Sequence, residues 1–570
     1  MERFAMKLSY DHGVSDIPLL GETMGEVFDR IAKEFATHEA LVSAHENLRL
    51  TYGELAAEVE RAARALLALG LQKGERVGVW STNRSEWTVM QFAAAKAGTI
   101  LVNINPAYRL HELEYALTQS GTSCLVLGDG FRDADYTAML HELIPETKHG
   151  HGESLHAPRF PNLRHLVHLG KVGHAPAHRR DAMLSWKEFL ARAGEVAPER
   201  LGARQADQDF DDLVNIQYTS GTTGSPKGAA LTHHNIVNNA WWTAHKMRFT
   251  HQDRLCIPVP FYHCFGMVLA NLACVTHGAT MVLPGPYFSP LATLETCARE
   301  RCTALHGVPT MFVAELQHPR FKEFDLSSLR TGVMAGAPCP IEVMNRVIEE
   351  MHCREILIGY GQTEASPLTN MTDPDDPVEL RVGTVGRTMP HQEQKVVDPA
   401  TGRTLPRGQQ GELCFRGHHV MPGYYNNAEA TRAAIDAQGW LHSGDLGVMD
   451  EAGYVRITGR LKDMIIRGGE NIYPREIEEF LFTHPKIAEA YVFGVPDTFY
   501  GEQVMVWIRP REGVALSEDE IRAFCQGRIA TFKIPKYMKF VTEFPTTVTG
   551  KVQKFRMREI ATRELGLEGP

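Results

Sequence analysis

The densest run of residues able to do chemistry is Tyr218–Gly228, which reads YTSGTTGSPKG. Gly221 and Gly224 let backbone N–H groups turn inward. Thr219, Ser220, Thr222, Thr223 and Ser225 bring hydroxyls, Pro226 stiffens the exit, and Lys227 adds a positive charge. Inward-facing amides, hydroxyl donors and one cation together suit a polyphosphate. The segment follows the apolar run Leu213–Ile216, so it falls at the carboxyl end of a strand, where α/β sheets bind their ligands. It is not a Walker A loop, because Lys227 lies three residues after Gly224 and is followed by Gly228.

The elements around this segment alternate between strand-like and helix-like. Thr51 and Glu54 have capping-box spacing and open an amphipathic stretch with Leu55, Val59, Ala62 and Leu66 on one face. Short apolar runs at 76–80, 100–104 and 124–127 enclose a helix-like segment over 86–97. The alternation returns at 332–335, 341–351 and 356–360. Such a pattern implies parallel βαβ units with both sheet faces covered. From about Pro390 the texture becomes short β-like pieces between Gly- and Pro-rich turns, a β-rich subdomain. Beyond Arg460 lies a compact region. It has a helix opening at Pro474, strands at 488–495 and 504–509, and a second helix near 517–529. The expected fold class is α/β: a large N-terminal domain of layered sheets and helices over 1–459, then a small α+β domain over 460–570.

Composition bounds the partners. The 570 residues carry a net charge of −10 and are 43% hydrophobic, which provides ample core material. A mildly acidic chain without a long basic run is not a dedicated nucleic-acid binder. The longest apolar stretch, 264–275, is broken by Asn271 and falls short of the ~20 residues of a membrane helix, so no integral membrane segment is expected. No leader pattern is present, and the ten cysteines contain no CxxC pair. Reduced thiols and a cytoplasmic location follow as expectations. Eight of the 26 histidines fall between His141 and His178, which reads as a solvated loop insert rather than a zinc site.

Further segments extend the first signal: GYGQTE at 359–364, SGD at 443–445, GRLKD at 459–463 and PTTVTGK at 545–551. Together with Tyr218–Gly228, and in this order, they resemble the signatures of the adenylate-forming, AMP-binding superfamily. That superfamily holds acyl-CoA synthetases, luciferases and peptide-synthetase adenylation domains. The stretch 463–474 and the tail 533–536 resemble acyl-CoA synthetases of the medium-chain fatty-acid type. The resemblance spans Thr51 to Lys551 and implies a ligase using ATP, Mg2+ and coenzyme A. A carboxylic acid becomes acyl-AMP with release of pyrophosphate, and the thiol of coenzyme A then displaces AMP.

The resemblance also distributes roles. Lys551, flanked by Gly550, would neutralise charge between carboxylate and α-phosphate, although a lone lysine equally reads as surface. Glu364 and Thr219 would hold magnesium through hard oxygens. Asp445 and Arg460 would take the ribose, or form a plain ion pair. Gly336, Ala337, Tyr360, Gly361, Gln362 and Thr363 would frame the adenine, with a simple core tyrosine as the other reading of Tyr360. His263 matches an aromatic segment beside the carboxylate, or is a satisfied core histidine. Lys462 would be the hinge pivot that makes the C-terminal domain mobile. Gly468, Gly469 and Glu470 would line the pantetheine path or form a bland tight turn, and Lys533 would meet a coenzyme A phosphate or water. Val308, Met334, Gly336, Pro367 and Leu368 suggest an apolar acyl pocket, favouring a medium-chain aliphatic acid. Two rivals remain: a ligase that loads a carrier protein, and a non-catalytic nucleotide-binding protein of the same fold. A homodimer is compatible with the sequence.

Overall fold

The computed structural model describes residues 7–148, 154–170, 182–219, 226–337, 340–468, 470–546 and 552–567. The chain forms two compact units, one of 12–393 with 415–441 and one of 1–11, 394–414 and 442–570.

The larger unit is built on two mixed sheets. One has eight strands in the spatial order Met183–Ser185, His165–His168, Cys124–Leu127, Arg76–Trp80, Ile100–Ile104, Leu213–Thr219, Lys227–Thr232, Gly423–Tyr424. Pairing is parallel as far as Leu213–Thr219, which then turns back against Lys227–Thr232 in an antiparallel hairpin. The second sheet has nine strands, with Arg254–Cys256, Ala304–Leu305, Thr331–Ala335 and Glu355–Gly361 as successive parallel neighbours. Strands such as Arg76–Trp80 and Thr331–Ala335 are buried at consecutive residues, hence on both faces, as parallel sheets require.

The helices start where side chains can satisfy their first amides. Thr51 accepts from the Glu54 amide while Glu54 reaches back to the Thr51 amide, as its spacing predicts. The same reciprocal cap opens Met24–Glu34 at Thr23 and Trp186–Ala191 at Ser185. Met24–Glu34 packs on Ser85–Lys96 through Phe28 stacked on Phe92, ring centroids 4.6 Å apart. The apolar run 264–275 folds as three short helical pieces, Cys264–Gly266, a π-helical Met267–Leu272 and Ala273–Thr276, all buried. Among the described residues no helix is long and apolar enough to cross a membrane.

One expectation is corrected. The histidine-dense stretch is not a loop insert throughout: His165–His168 is a strand of the eight-stranded sheet, and His168 is 3% exposed. The run pairs in parallel register with Cys124–Leu127, and His168 Nδ1 accepts from the Gly170 amide. Residues 149–153 and 171–181 lie outside the described residues.

The smaller unit contains most of a five-stranded sheet ordered Tyr10–His12, Gln392–Val397, Gln410–Gly417, Leu441–Met449, Val455–Arg460. It also holds a second sheet centred on the long hairpin Ile487–Asp497 and Gly501–Pro510. Pro474 occupies the first turn of Pro474–Phe482 as expected, and Ile477 and Leu481 of that helix pack with Val492, Val504 and Val506 of the hairpin.

Phe28→Ala removes a fully buried ring that locks two helices over the eight-stranded sheet. It should lower unfolding stability by ~3–5 kcal/mol, read from the denaturant midpoint.

Candidate active site

Two strand ends in the larger unit bring the first-named residues together. Leu213–Thr219 ends at Thr219, opposite Lys227 in the hairpin register. Glu355–Gly361 ends just before a short 3-10 turn, Thr363–Ala365. Thr219 Oγ1 lies 3.3 Å from Glu364 Oε1 and also donates to the Lys227 carbonyl. Residues from two different sheets, 145 apart in sequence, therefore meet at their carboxyl ends. Ser220, Gly221, Thr222, Thr223, Gly224 and Ser225 lie outside the described residues, while Pro226 and Lys227 are half-buried beside them.

A residue the motifs did not single out completes this corner. The Tyr424 hydroxyl donates to Glu364 Oε1 at 2.8 Å, and Lys227 Nζ sits 5.2 Å from the centroid of the Tyr424 ring. Burial, reinforced by the neighbouring Glu364 charge, pushes the Tyr424 phenol well above its ordinary range, so it remains a hydrogen-bond donor. The Glu364 carbonyl accepts from the Met421 amide, which fixes the turn's backbone as well. Tyr424 lies sixty residues from Glu364, so no local spacing advertises it.

Gly361 illustrates why its position takes glycine. A Cβ there would lie 1.8 Å from the Pro367 carbonyl oxygen, whose bond to the Gln362 amide closes the turn. Thr363 is buried, with its Oγ1 3.6 Å from Cys264 Sγ, which ties the 359–364 segment to the helix start at His263. His263 caps that helix: its Nδ1 accepts from the Phe265 amide at 3.1 Å, which places the proton of the neutral ring on Nε2. Burial pushes the Cys264 thiol up to about 12, so the adjacent Cys264 and His263 are not an activated thiolate pair.

Parallel pairing of Ala335 with Gly359 places Gly336 beside Tyr360. Gly336 adopts φ +86° and is exposed with Ala337; Tyr360 is half-buried, its ring 6.2 Å from Phe415. Around them, Met334 and Leu368 are buried and Val308 is half-buried against the core.

The smaller unit carries the remaining residues. Asp445 and Arg460 face each other in the antiparallel register, with Arg460 Nε 2.9 Å from Asp445 Oδ1. Gly444 takes φ +70°, and its amide donates to Glu412 Oε1 at 3.1 Å, while Glu412 Oε2 holds His442 Nδ1 at 2.8 Å. Glu412, another residue without a motif signal, thus anchors the turn that presents Asp445. Lys462 is exposed in the 3-10 turn Leu461–Asp463. Gly468 takes φ +59° and donates to the Tyr500 carbonyl; its neighbour Glu470 is exposed at the start of Glu470–Ile472. Lys533 is ion-paired with Glu476. Gly469 and Lys551 lie outside the described residues.

The oxygens of Thr219 and Glu364 fit magnesium: their 3.3 Å separation is close to the ~2.9 Å between adjacent ligands of an octahedral ion with ~2.05 Å bonds.

Known proteins bear on this geometry. The profile of the AMP-binding enzyme family matches residues 28–425, and that of the AMP-binding enzyme C-terminal domain matches 476–551. YngI of Bacillus subtilis (strain 168), named as an acyl-CoA synthetase, is 48% identical over 541 residues, 95% of this chain and 97% of its own. The mitochondrial medium-chain acyl-CoA ligase ACSF2 of Danio rerio is 42% identical over 561 residues, 98% of this chain and 91% of its own. Among solved structures, ATP-bound MatB of Rhodopseudomonas palustris superposes with a TM-score of 0.80 at 30% identity, covering 95% of this chain and 99% of that one. A fatty acyl CoA synthetase of Mycobacterium tuberculosis gives 0.70 at 27% identity, covering 95% and 99%. Profile matches over most of the chain, and relatives above 40% identity along nearly its whole length, establish that it belongs to the AMP-binding enzyme family.

Proposed function

We propose that this enzyme is an ATP-dependent acid–thiol ligase that makes acyl-CoA from a medium-chain fatty acid. The observation that carries this reading is the Thr219–Glu364 pair at the end of a hydroxyl- and glycine-rich segment, with Lys227 beside it. Names of relatives support the acyl-CoA product, and ACSF2 supports the chain length.

In the first step a carboxylate oxygen attacks the α-phosphorus of ATP, and the bond to the β-phosphate bridge breaks to give acyl-AMP and pyrophosphate. In the second, the thiol of coenzyme A attacks the acyl carbon, loses its proton, and expels AMP. Magnesium, when bound, supplies charge neutralisation at the phosphates. Thr219 and Glu364 are assigned to hold it, Tyr424 to orient Glu364, and Lys227 to meet phosphate charge. Gly336, Tyr360 and Gln362 frame adenine, while Asp445 and Arg460 take the ribose. The His263 ring, oriented by the Phe265 amide, is assigned to the carboxylate side. The nine described cysteines are all free, in keeping with a reducing compartment such as the cytoplasm.

The acyl end is assigned to Val308, Met334, Pro367 and Leu368, all apolar side chains. Each buried CH2 contributes ~0.8 kcal/mol, so kcat/KM should climb about fourfold per carbon until the pocket ends. Pyrophosphate release measured with and without coenzyme A across a panel of acids tests the assignment. Fastest turnover on acetate, an amino acid or a dicarboxylate would contradict it, and turnover indifferent to coenzyme A would favour a carrier-protein acceptor.

Two substitutions separate holding the metal from orienting its ligand. Glu364→Gln should abolish most of kcat while the fold survives, because charge stabilisation matters most as pyrophosphate departs. Tyr424→Phe removes one charge-assisted hydrogen bond, worth ~1.5–3 kcal/mol, and should raise the magnesium concentration for half-maximal rate roughly ten- to a hundredfold with a smaller effect at saturating metal. An unchanged magnesium dependence in both variants would remove this corner from the site.

Adenylation calls for Lys551 next to ATP, yet a lysine there would obstruct an incoming thiol, and the Gly468–Glu470 turn suits the thiol path instead. We therefore divide the enzyme functionally at 1–459 and 460–570, with reorientation about Lys462. Lys462→Pro, which fixes φ near −65°, should retain ATP–pyrophosphate exchange and lose thioester formation. Lys551→Ala should lose exchange and still convert supplied acyl-AMP to thioester. Equal failure of both variants in both half-reactions would disprove the two-orientation scheme.

A further inference from the structure

Three thiols converge in the nine-stranded half of the larger unit, among residues with no role in the ligase reaction. Cys256 ends the strand Arg254–Cys256, Cys297 lies in the helix Pro290–Glu300, and Cys302 follows that helix. Their Sγ atoms all lie within 4.8 Å of one another, and each residue is at most 1% exposed.

Burial alone means little, since all nine described cysteines are buried and a free thiol behaves as a small apolar group. Convergence is different, because the backbone is shaped to produce it. Arg301 takes the left-handed φ of +48°, and the Cys302 amide donates to the Cys297 carbonyl at 3.0 Å, the six-to-one bond of a Schellman helix end. This folds Cys302 back under its own helix and against the strand that carries Cys256.

We propose that Cys256, Cys297 and Cys302 form a structural site for a thiophilic divalent ion of the zinc class. Zinc–sulfur bonds of ~2.3 Å set sulfurs ~3.8 Å apart in a tetrahedral site, so no separation has to close by more than about 1 Å. Each thiol that ligates releases its proton to solvent, and the ion then ties the strand Arg254–Cys256 to the helix Pro290–Glu300. The donor set is soft, unlike the hard oxygens of Thr219 and Glu364, so magnesium should not compete for it.

Titration of the metal-free chain with Cd2+ tests this directly. Expected are one equivalent bound, a thiolate-to-metal charge-transfer band in the near ultraviolet, displacement by Zn2+ but not Mg2+, and about three protons released per ion. With Zn2+ at a hundredfold excess over its Kd, the thermal midpoint should rise by ~2 °C. Cys297→Ala and Cys302→Ala should each lose the band and the midpoint shift while keeping ligase activity. If a variant does not fold, the proton count on the unaltered chain still decides. Absence of a saturable band, release of one proton or none, or zinc binding without thiolate absorption, which would place the ion at histidines, overturns the proposal.

Discussion

The arrangement of the larger unit turns on one close approach, Thr219 Oγ1 to Glu364 Oε1 at 3.3 Å. Thr219 ends a strand of one sheet and Glu364 lies in the turn that follows a strand of the other, so both sheets must end at the same place with the correct register. Antiparallel return of Lys227–Thr232 against Leu213–Thr219 fixes one side, and closure of the Gly361–Pro367 turn fixes the other. Gly361 is the narrowest point of that constraint, because any side chain there would collide with the Pro367 carbonyl. The half-buried Tyr424 hydroxyl then sets which way the Glu364 carboxylate faces.

Local electrostatics in this corner run against the chain as a whole. A protein of net charge −10 does not attract a polyanion by its overall field. On the proposed reading, attraction would come instead from Lys227 and from the cation that Thr219 and Glu364 would hold, both at short range. On the same reading Glu364 would serve despite its negative charge, because a hard divalent ion held by its carboxylate would supply the positive charge that a phosphate needs. It also sets the Cys264–His263 neighbours aside as a nucleophilic pair, because burial keeps that thiol protonated.

Much of the fold was legible in the sequence wherever the physics is local. The Thr51 cap, Pro474 at a helix start, and the strand leading into Thr219 follow from contacts within a few residues. The two residues that orient the site were not legible, for a common reason. Tyr424 reaches Glu364 across sixty residues, and Glu412 reaches the Gly444 amide across thirty-two, so only the assembled sheets reveal them. The strand Tyr10–His12 escaped notice because three residues at the edge of a sheet carry too little pattern to stand out. The strand His165–His168 was hidden by composition, since histidines suggested a solvated loop, and only pairing with the distant strand Cys124–Leu127 reveals a sheet.

An acyl-adenylate intermediate is the centre of the proposed chemistry, and oxygen-18 in the substrate carboxylate reports on it most directly. If a carboxylate oxygen bonds to the α-phosphorus and stays there when the thiol displaces AMP, the released AMP should carry one labelled oxygen and the pyrophosphate none. Unlabelled AMP, or label in pyrophosphate or free phosphate, would mean that the acid is activated at another phosphorus or not at all, and would contradict the assignment of this site to adenylation.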